Sequence, residues 1–193
     1  MAQLRNLKVG AINIVFHDRE LHNDEEQYVR LLKLIFERQH PVNLGGHRYI
    51  LMGLLERETA STLIGTFDKY IEIEPTGWWN RQTRQPASED EIRSIQIPPD
   101  LTANHRSFPL LFDARIHRLA FLVGDTGMYL NPRDVQRYLR AIVGDGEITD
   151  AFGDISIHIE QEPGALARIL DAPFLRQLVI EVEVPNTDVD RDS

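Results

Sequence analysis

Two rhythms of apolar residues run along this chain. In NDEEQYVRLLKLIFERQ (residues 23–39), Tyr28, Leu31, Leu32 and Ile35 recur at i, i+3, i+4 and i+7, which places them on one face of a helix. Asn23 with Glu26 resembles a capping box, and the acidic first turn suits the positive end of the helix dipole. NPRDVQRYLRAIVGDG (131–146) repeats the stripe with Val135, Tyr138, Leu139 and Ile142. Asn131 is its expected N-cap, Pro132 its first helical residue and Gly144 its stop. PGALARIL (163–170) predicts a third, short helix.

The second rhythm has period two, the signature of strands with one buried face. LKVGAINIVF (7–16) is rich in Val and Ile, but its apolar phase shifts near Ala11 and Ile12, which predicts either burial on both faces or a bulge. HRYILMGLLERE (47–58) and TLIGTFDKYIEIE (62–74) read as an antiparallel pair joined by a TAS turn. SFPLLFDARIHRLAFLVG (107–124) is a strand, a tight bend and a second strand. DISIHIEQE (154–162) and LRQLVIEVEVPN (175–186) alternate cleanly, the latter with Leu178, Ile180, Val182 and Val184 inward. Between Pro75 and Arg106 the periodicity breaks down into a long excursion with one short helix near 88–94. A loop of that length inside a domain is usually functional or mobile.

The resulting order, β-α-β-β-excursion-β-β-α-β-α-β, predicts an α+β fold: a mixed or antiparallel sheet with helices packed on one face. An elaborated ferredoxin-like core is the simplest such arrangement. One α+β domain is expected over 1–186, with the excursion at 75–106 and an acidic tail at 187–193. There is no internal repeat and no low-complexity tract.

Composition narrows the functional classes. Apolar content of 42% and charged content of 26% are ordinary for a globular chain. No apolar run approaches the length of a bilayer span, so no membrane association is expected. The opening MAQLRNLKVG lacks the apolar core of a secretory signal. The absence of cysteine excludes disulfides, thiolate metal sites and a Cys nucleophile, and fits a cytoplasmic protein. The net charge of −9 is uneven: residues 1–130 carry 15 basic and 17 acidic groups, a balance of −2, and residues 131–193 carry 6 and 13, a balance of −7. The acidic last third would repel a nucleic-acid duplex and suits a basic protein partner, whereas the first two thirds leave room for a local basic patch.

Three constellations carry candidate chemistry. Asp113 and His117 share a strand parity within FDARIHRLAF and can be read as an acid–base pair in which the carboxylate orients the imidazole. The plainer explanation is a turn-initiating Asp bonded to its own backbone and a His at a strand end. His158, Glu181 and Glu183 would share a wet sheet face if the last two strands are neighbours, a weak metal candidate for which a solvated face is the plainer explanation. GWWNRQTR (77–84) sets Trp78 and Trp79 beside Arg81 and Arg84 in the excursion, where they can stack on bases or anchor a partner, the plainer explanation being a loop that tucks one Trp into the core. The terminal DVDRDS begins like a calcium loop but lacks its glycine and closing glutamate. Phosphate-loop, dinucleotide, nucleophile-elbow and zincin motifs are all absent, and no cofactor is indicated.

The second half carries a resemblance. Asp113, His117, Leu119 and Phe121 form D-x-x-x-H-x-L-x-F on a strand pair, followed by a helix and an alternating strand, and the last strand runs into Pro185, Asn186 and Asp188. Over roughly 107–190 this pattern resembles an uncharacterised bacterial family encoded near mobile elements and phage-defence genes. The resemblance implies a conflict-system setting and supplies no catalytic role for any residue. The expectation is therefore a binding or adaptor protein acting through contact with protein or single-stranded nucleic acid. A metal-dependent hydrolase such as a nuclease, and a structural subunit of a homo-oligomer joined through edge strands, are the alternatives.

Overall fold

The computed structural model describes residues 8–74, 77–95, 98, 100–124 and 129–160. Its first strand, β1 (Val9–Phe16), turns Gly10, Ile12, Ile14 and Phe16 toward the core. It pairs in unbroken register with a strand on each side, so the phase shift near Ala11 reflects burial on both faces rather than a bulge. Two helices follow: α1 (Arg19–His22) and α2 (Glu25–Glu37). The cap of α2 is Asp24, whose carboxylate accepts from Glu26 N at 2.9 Å. Asn23, the residue expected there, instead ends α1, a single turn too short to leave a periodic signal.

A five-strand meander is the body of the sheet. β2 (Val42–Gly45), β3 (Arg48–Arg57) and β4 (Thr62–Ile71) pair in sequence, and β4 pairs with β7 (Ala103–Asp113), which pairs with β8 (Arg118–Leu122). Between β4 and β7 the excursion forms a small separate hairpin, β5 (Trp79–Asn80) and β6 (Gln85–Pro86), and a short helix, α3 (Glu89–Arg93). After β8 come α4 (Pro132–Val143), α5 (Gly146–Phe152) and β9 (Ile155–Ile159). β1 inserts between β8 and β9, giving the order β2-β3-β4-β7-β8-β1-β9 with every pairing antiparallel. The fold is α+β as expected. A ferredoxin-like core is not confirmed by this strand order. The expected helix at 163–170 and strand at 175–186 lie outside the described residues.

The sheet curls around its helices. α4 touches β2 and β3 near one edge and β1 and β9 near the other, although five strands lie between β2 and β9 in the order. Val135, Tyr138, Leu139 and Ile142 form its buried face, together with Val143. They share one core with Tyr28, Leu31, Leu32 and Ile35 of α2 and with Phe67, Phe108, Phe112 and Phe121 of the sheet. Polar contacts fix α4 at both sides. Tyr138 accepts a hydrogen bond from Met52 N of β3 at 3.2 Å, while Gln136 and Arg140 donate to Ile157 O of β9 at 2.9 and 3.1 Å. Burial pushes the Tyr138 hydroxyl up to about 12, against the lowering effect of its bond to Met52. At Gly10 an added Cβ would stand 2.5 Å from the Phe121 ring, so glycine is what lets that ring close over β1.

Replacing Tyr138 with Phe leaves the buried Met52 N–H without this acceptor while hardly changing volume. The expected cost is about 1–3 kcal/mol, the penalty for stranding a buried polar group. Urea unfolding followed by circular dichroism measures it, and an unchanged midpoint would show that the bond between α4 and β3 contributes nothing.

Candidate functional site

The two ends of the strands differ in character. One end carries the β3–β4 turn, the β7–β8 turn and α1; the other carries the β2–β3 turn, the excursion and the start of α4.

At the first end, Asp113 closes β7. Its Oδ1 accepts from Arg115 N at 3.0 Å and from Arg115 Nε at 2.9 Å, and its Oδ2 accepts from Arg115 Nη2 at 2.6 Å. The carboxylate thus organises the tight turn, and its hydrogen bonding raises the Arg115 pKa. His117 lies on the other side of that turn with φ +57°, a left-handed conformation that few non-glycine residues adopt. Asp113 and His117 make no hydrogen bond to each other. The His117 ring stacks on Tyr28 at 4.1 Å between centroids and meets His22 edge-on at 4.9 Å. The Tyr28 hydroxyl lies 3.3 Å from His22 Nδ1 and accepts weakly from Phe16 N at 3.4 Å. Tyr28 is wholly buried, and that burial raises its pKa.

At the second end, the described part of the excursion is held by side-chain hydrogen bonds. Asn80 Oδ1 accepts from the backbone N–H groups of Gln82 and Thr83, which closes the hairpin, and its amide also donates to Glu91 of α3. Ser88 and Glu91 form a capping box, and those bonds hold the Glu91 carboxyl below its usual range. The two tryptophans part company. Trp78 is half-buried and donates from Nε1 to Glu74 O at 3.2 Å, while Trp79 is 58% exposed. Arg81 and Arg84 are both exposed, and Arg84 has φ +55°.

On the outer face of the sheet, His158 is exposed and stands across from Asn13. Its neighbours are already engaged: Ser156 Oγ lies 2.7 Å from His17 Nε2, and Glu160 pairs with Arg118 at 3.4 Å. Glu181 and Glu183 lie outside the described residues. Among the described residues no group of three or more His, Asp or Glu side chains is placed to hold a metal ion.

Sequence reasoning missed two groupings. His22 and Tyr28 join His117 only because α1, α2 and the β7–β8 turn converge. Arg48, Lys69 and Arg106 come from three different strands onto one rim, beside Tyr129 and Asp134. The second grouping had a trace in the sequence. Each cation sits two positions from a core residue (Ile50, Phe67 and Phe108) and therefore continues the inward face of its strand.

Burial, and secondarily the neighbouring His22, lowers the His117 pKa from its ordinary 6.5, while Asp113 opposes the shift. Below about 6.5 the unfolded chain therefore binds more protons than the folded one, and stability is lost as pH falls through that window. Chemical denaturation between pH 7.5 and 5 is expected to show this decline. His117→Asn, which tolerates the left-handed backbone and does not titrate, is expected to flatten it. Identical pH profiles for the two proteins would remove His117 as the source.

No curated protein matches this sequence. The family model described as a domain of unknown function (DUF4747) matches residues 5–193 and so extends well beyond the second-half pattern around Asp113 and His117. Among the described residues no helix is long and apolar enough to cross a membrane. With nearly its whole length covered by that one model, the chain belongs to the DUF4747 family, whose function is unknown.

Proposed function

We propose that the protein is a binding module that holds single-stranded nucleic acid through its excursion, and that it is not primarily a catalyst. The observation that carries this reading is where the exposed apolar side chains lie. Of the large hydrophobic residues exposed among the described ones, Ile73, Trp79, Ile95 and Leu101 all fall between β4 and β7, leaving only Leu54 and Tyr129 elsewhere. A concentration of exposed apolar surface on one segment marks a contact site. Trp79 presents an aromatic face on a braced hairpin next to exposed Arg81 and Arg84. Stacking flanked by cations is how single strands are held without sequence preference. Trp78, tied to the Glu74 backbone, serves as the foot of that hairpin. A cytoplasmic bacterial or phage conflict system, in defence or counter-defence, is the setting we attach to this activity, on the strength of the family resemblance.

The hydrolase alternative draws on a separate observation, the edge-on pair His22 and His117, since adjacent imidazoles are apt for general acid–base work. It predicts cleavage of labelled RNA or DNA, with or without added divalent metal, that is lost in His22→Ala and His117→Asn. No cleavage by the wild type would remove it.

Titration with a uridine 12-mer is expected to quench tryptophan fluorescence in the wild type. Trp79→Ala is expected to weaken binding by about 5- to 150-fold, corresponding to about 1–3 kcal/mol for a lost base stack, with an unchanged melting temperature. Equal affinity in a folded Trp79→Ala protein would sink the stacking role. Altered plating of phage on cells expressing the gene tests the conflict-system setting, and no change with any phage tried would count against it.

A further inference from the structure

We propose that the cleft at the excursion end of the sheet is a nucleotide-phosphate site. In it Arg48 and Arg106 would hold the phosphate, Tyr129 would offer a face to the base, and Lys69 with Asp134 would form the floor. This deepens the nucleic-acid reading above by naming where the phosphate would be held.

The cleft has a volume of about 810 Å³ and is lined by Arg48, Lys69, Arg106, His105, Tyr129 and Asp134, with Asn104 and Asn131. That volume lies in the range of small-molecule sites, about 300–1,000 Å³. Among the described lining residues Arg48, Lys69 and Arg106 are cationic and Asp134 is the carboxylate, on a chain whose overall charge is −9. The cations lie where the inward faces of β3, β4 and β7 run out of apolar residues. Lys69 and Arg106 are direct cross-strand partners in the β4–β7 pairing. Like charges directly opposite each other destabilise a sheet, and Asp134 offsets the Lys69 charge here.

The sheet accommodates the pair through a specific arrangement. Lys69 is 4% exposed, and its Nζ donates to Asp134 Oδ2 at 2.7 Å and to Tyr129 O at 2.9 Å. Asp134 thereby neutralises the deeper cation, and the Tyr129 backbone is pinned over it. The Tyr129 ring lies 5.8 Å from Lys69 Nζ, and its side chain is exposed at the rim. Nearer the mouth, Arg48 is exposed and anchored by a bond from its Nε to Gly45 O at 3.0 Å. Among the described residues its two Nη groups make no hydrogen bond, leaving the forked end for a planar or tetrahedral oxyanion. Arg106 is exposed on the same rim. His105 is engaged elsewhere, 3.5 Å from Asp68.

The start of α4 is not the anion donor. Asn131 Oδ1 accepts from Arg133 N at 2.9 Å, Asn131 O accepts from Asp134 N and Val135 N, and Pro132 has no N–H. Recognition would therefore fall to side chains on the strands.

The test is calorimetric titration of the whole chain with ADP, alongside anisotropy titration with a labelled uridine 12-mer at low and high salt. At least one ligand is expected to bind. Arg48→Gln and Arg106→Gln are each expected to weaken that binding by about 10- to 100-fold, the loss of one charged hydrogen bond, without change in melting temperature. Tyr129→Ala is expected to weaken it further, and Trp79→Ala to leave ADP binding unchanged. ADP bound through these arginines without any 12-mer binding would support the cleft and overturn the single-strand reading. A 12-mer bound through Trp79 with no effect from either arginine would do the reverse. The cleft proposal also falls if neither ligand binds, or if a glutamate-rich peptide binds these arginines and nucleotides do not.

Discussion

The curl of the sheet depends on one helix bonded to both of its sides. Among the described residues the sheet has β2 and β9 as its outer strands, and nothing in an open sheet by itself brings two outer strands near one object. α4 supplies that reason, because its apolar stripe is buried against strands on both sides of the sheet as well as against α2 and α5. The Tyr138 bond to Met52 and the Gln136 and Arg140 bonds to Ile157 then fix where the helix sits between the two sides. Hydrophobic burial is non-directional, so it is the hydrogen bonds that select one position among several of similar buried area.

That placement determines what the two ends of the strands can do. Because α4 starts at the excursion end, its first turn brings Asp134 over Lys69 and closes one wall of the cationic cleft. At the opposite end α1 and α2 cover the β7–β8 turn, and His117 is pressed against Tyr28 and His22. The same packing that completes the core thus gathers Arg48, Lys69, Arg106 and Asp134 at one end and an imidazole cluster with a lowered His117 pKa at the other. The question raised by Asp113 and His117 has a local answer in part. Asp113 belongs to the turn through Arg115, and His117 belongs to the aromatic cluster, with the backbone reversal turning the two side chains to different partners.

Much of the fold was legible in the sequence wherever an element was long enough to complete its own period. α4 has the Asn131 cap, Pro132 at its start and the Val135–Tyr138–Leu139–Ile142 stripe that periodicity predicts. The β3–β4 pair and the two strands flanking the DAR bend were legible for the same reason, and the short helix of the excursion, which buries no residue, was legible without such a stripe. Three other short elements were not. β2 has only Val42 and Leu44 to mark it, α1 is a single turn, and α5 shows only Ile148 and Phe152 inward. That one tryptophan would tuck in was legible, but which of the two was not, since adjacent residues of one type carry no information about which is anchored.

What the sequence determined by itself was the class of each long element and the face it buries, because propensity, capping and alternation are local and act on neighbouring residues. What the tertiary structure decided was who meets whom. His22 and His117 are remote in the chain yet adjacent in space, Lys69 faces Arg106 across a strand pair, and Asp134 reaches Lys69 from 65 residues away. Periodicity reports the side of a strand on which a residue stands and is silent about which strand lies next to it. That choice is made by the shared core as the sheet closes around α4, and the candidate sites are by-products of that closure.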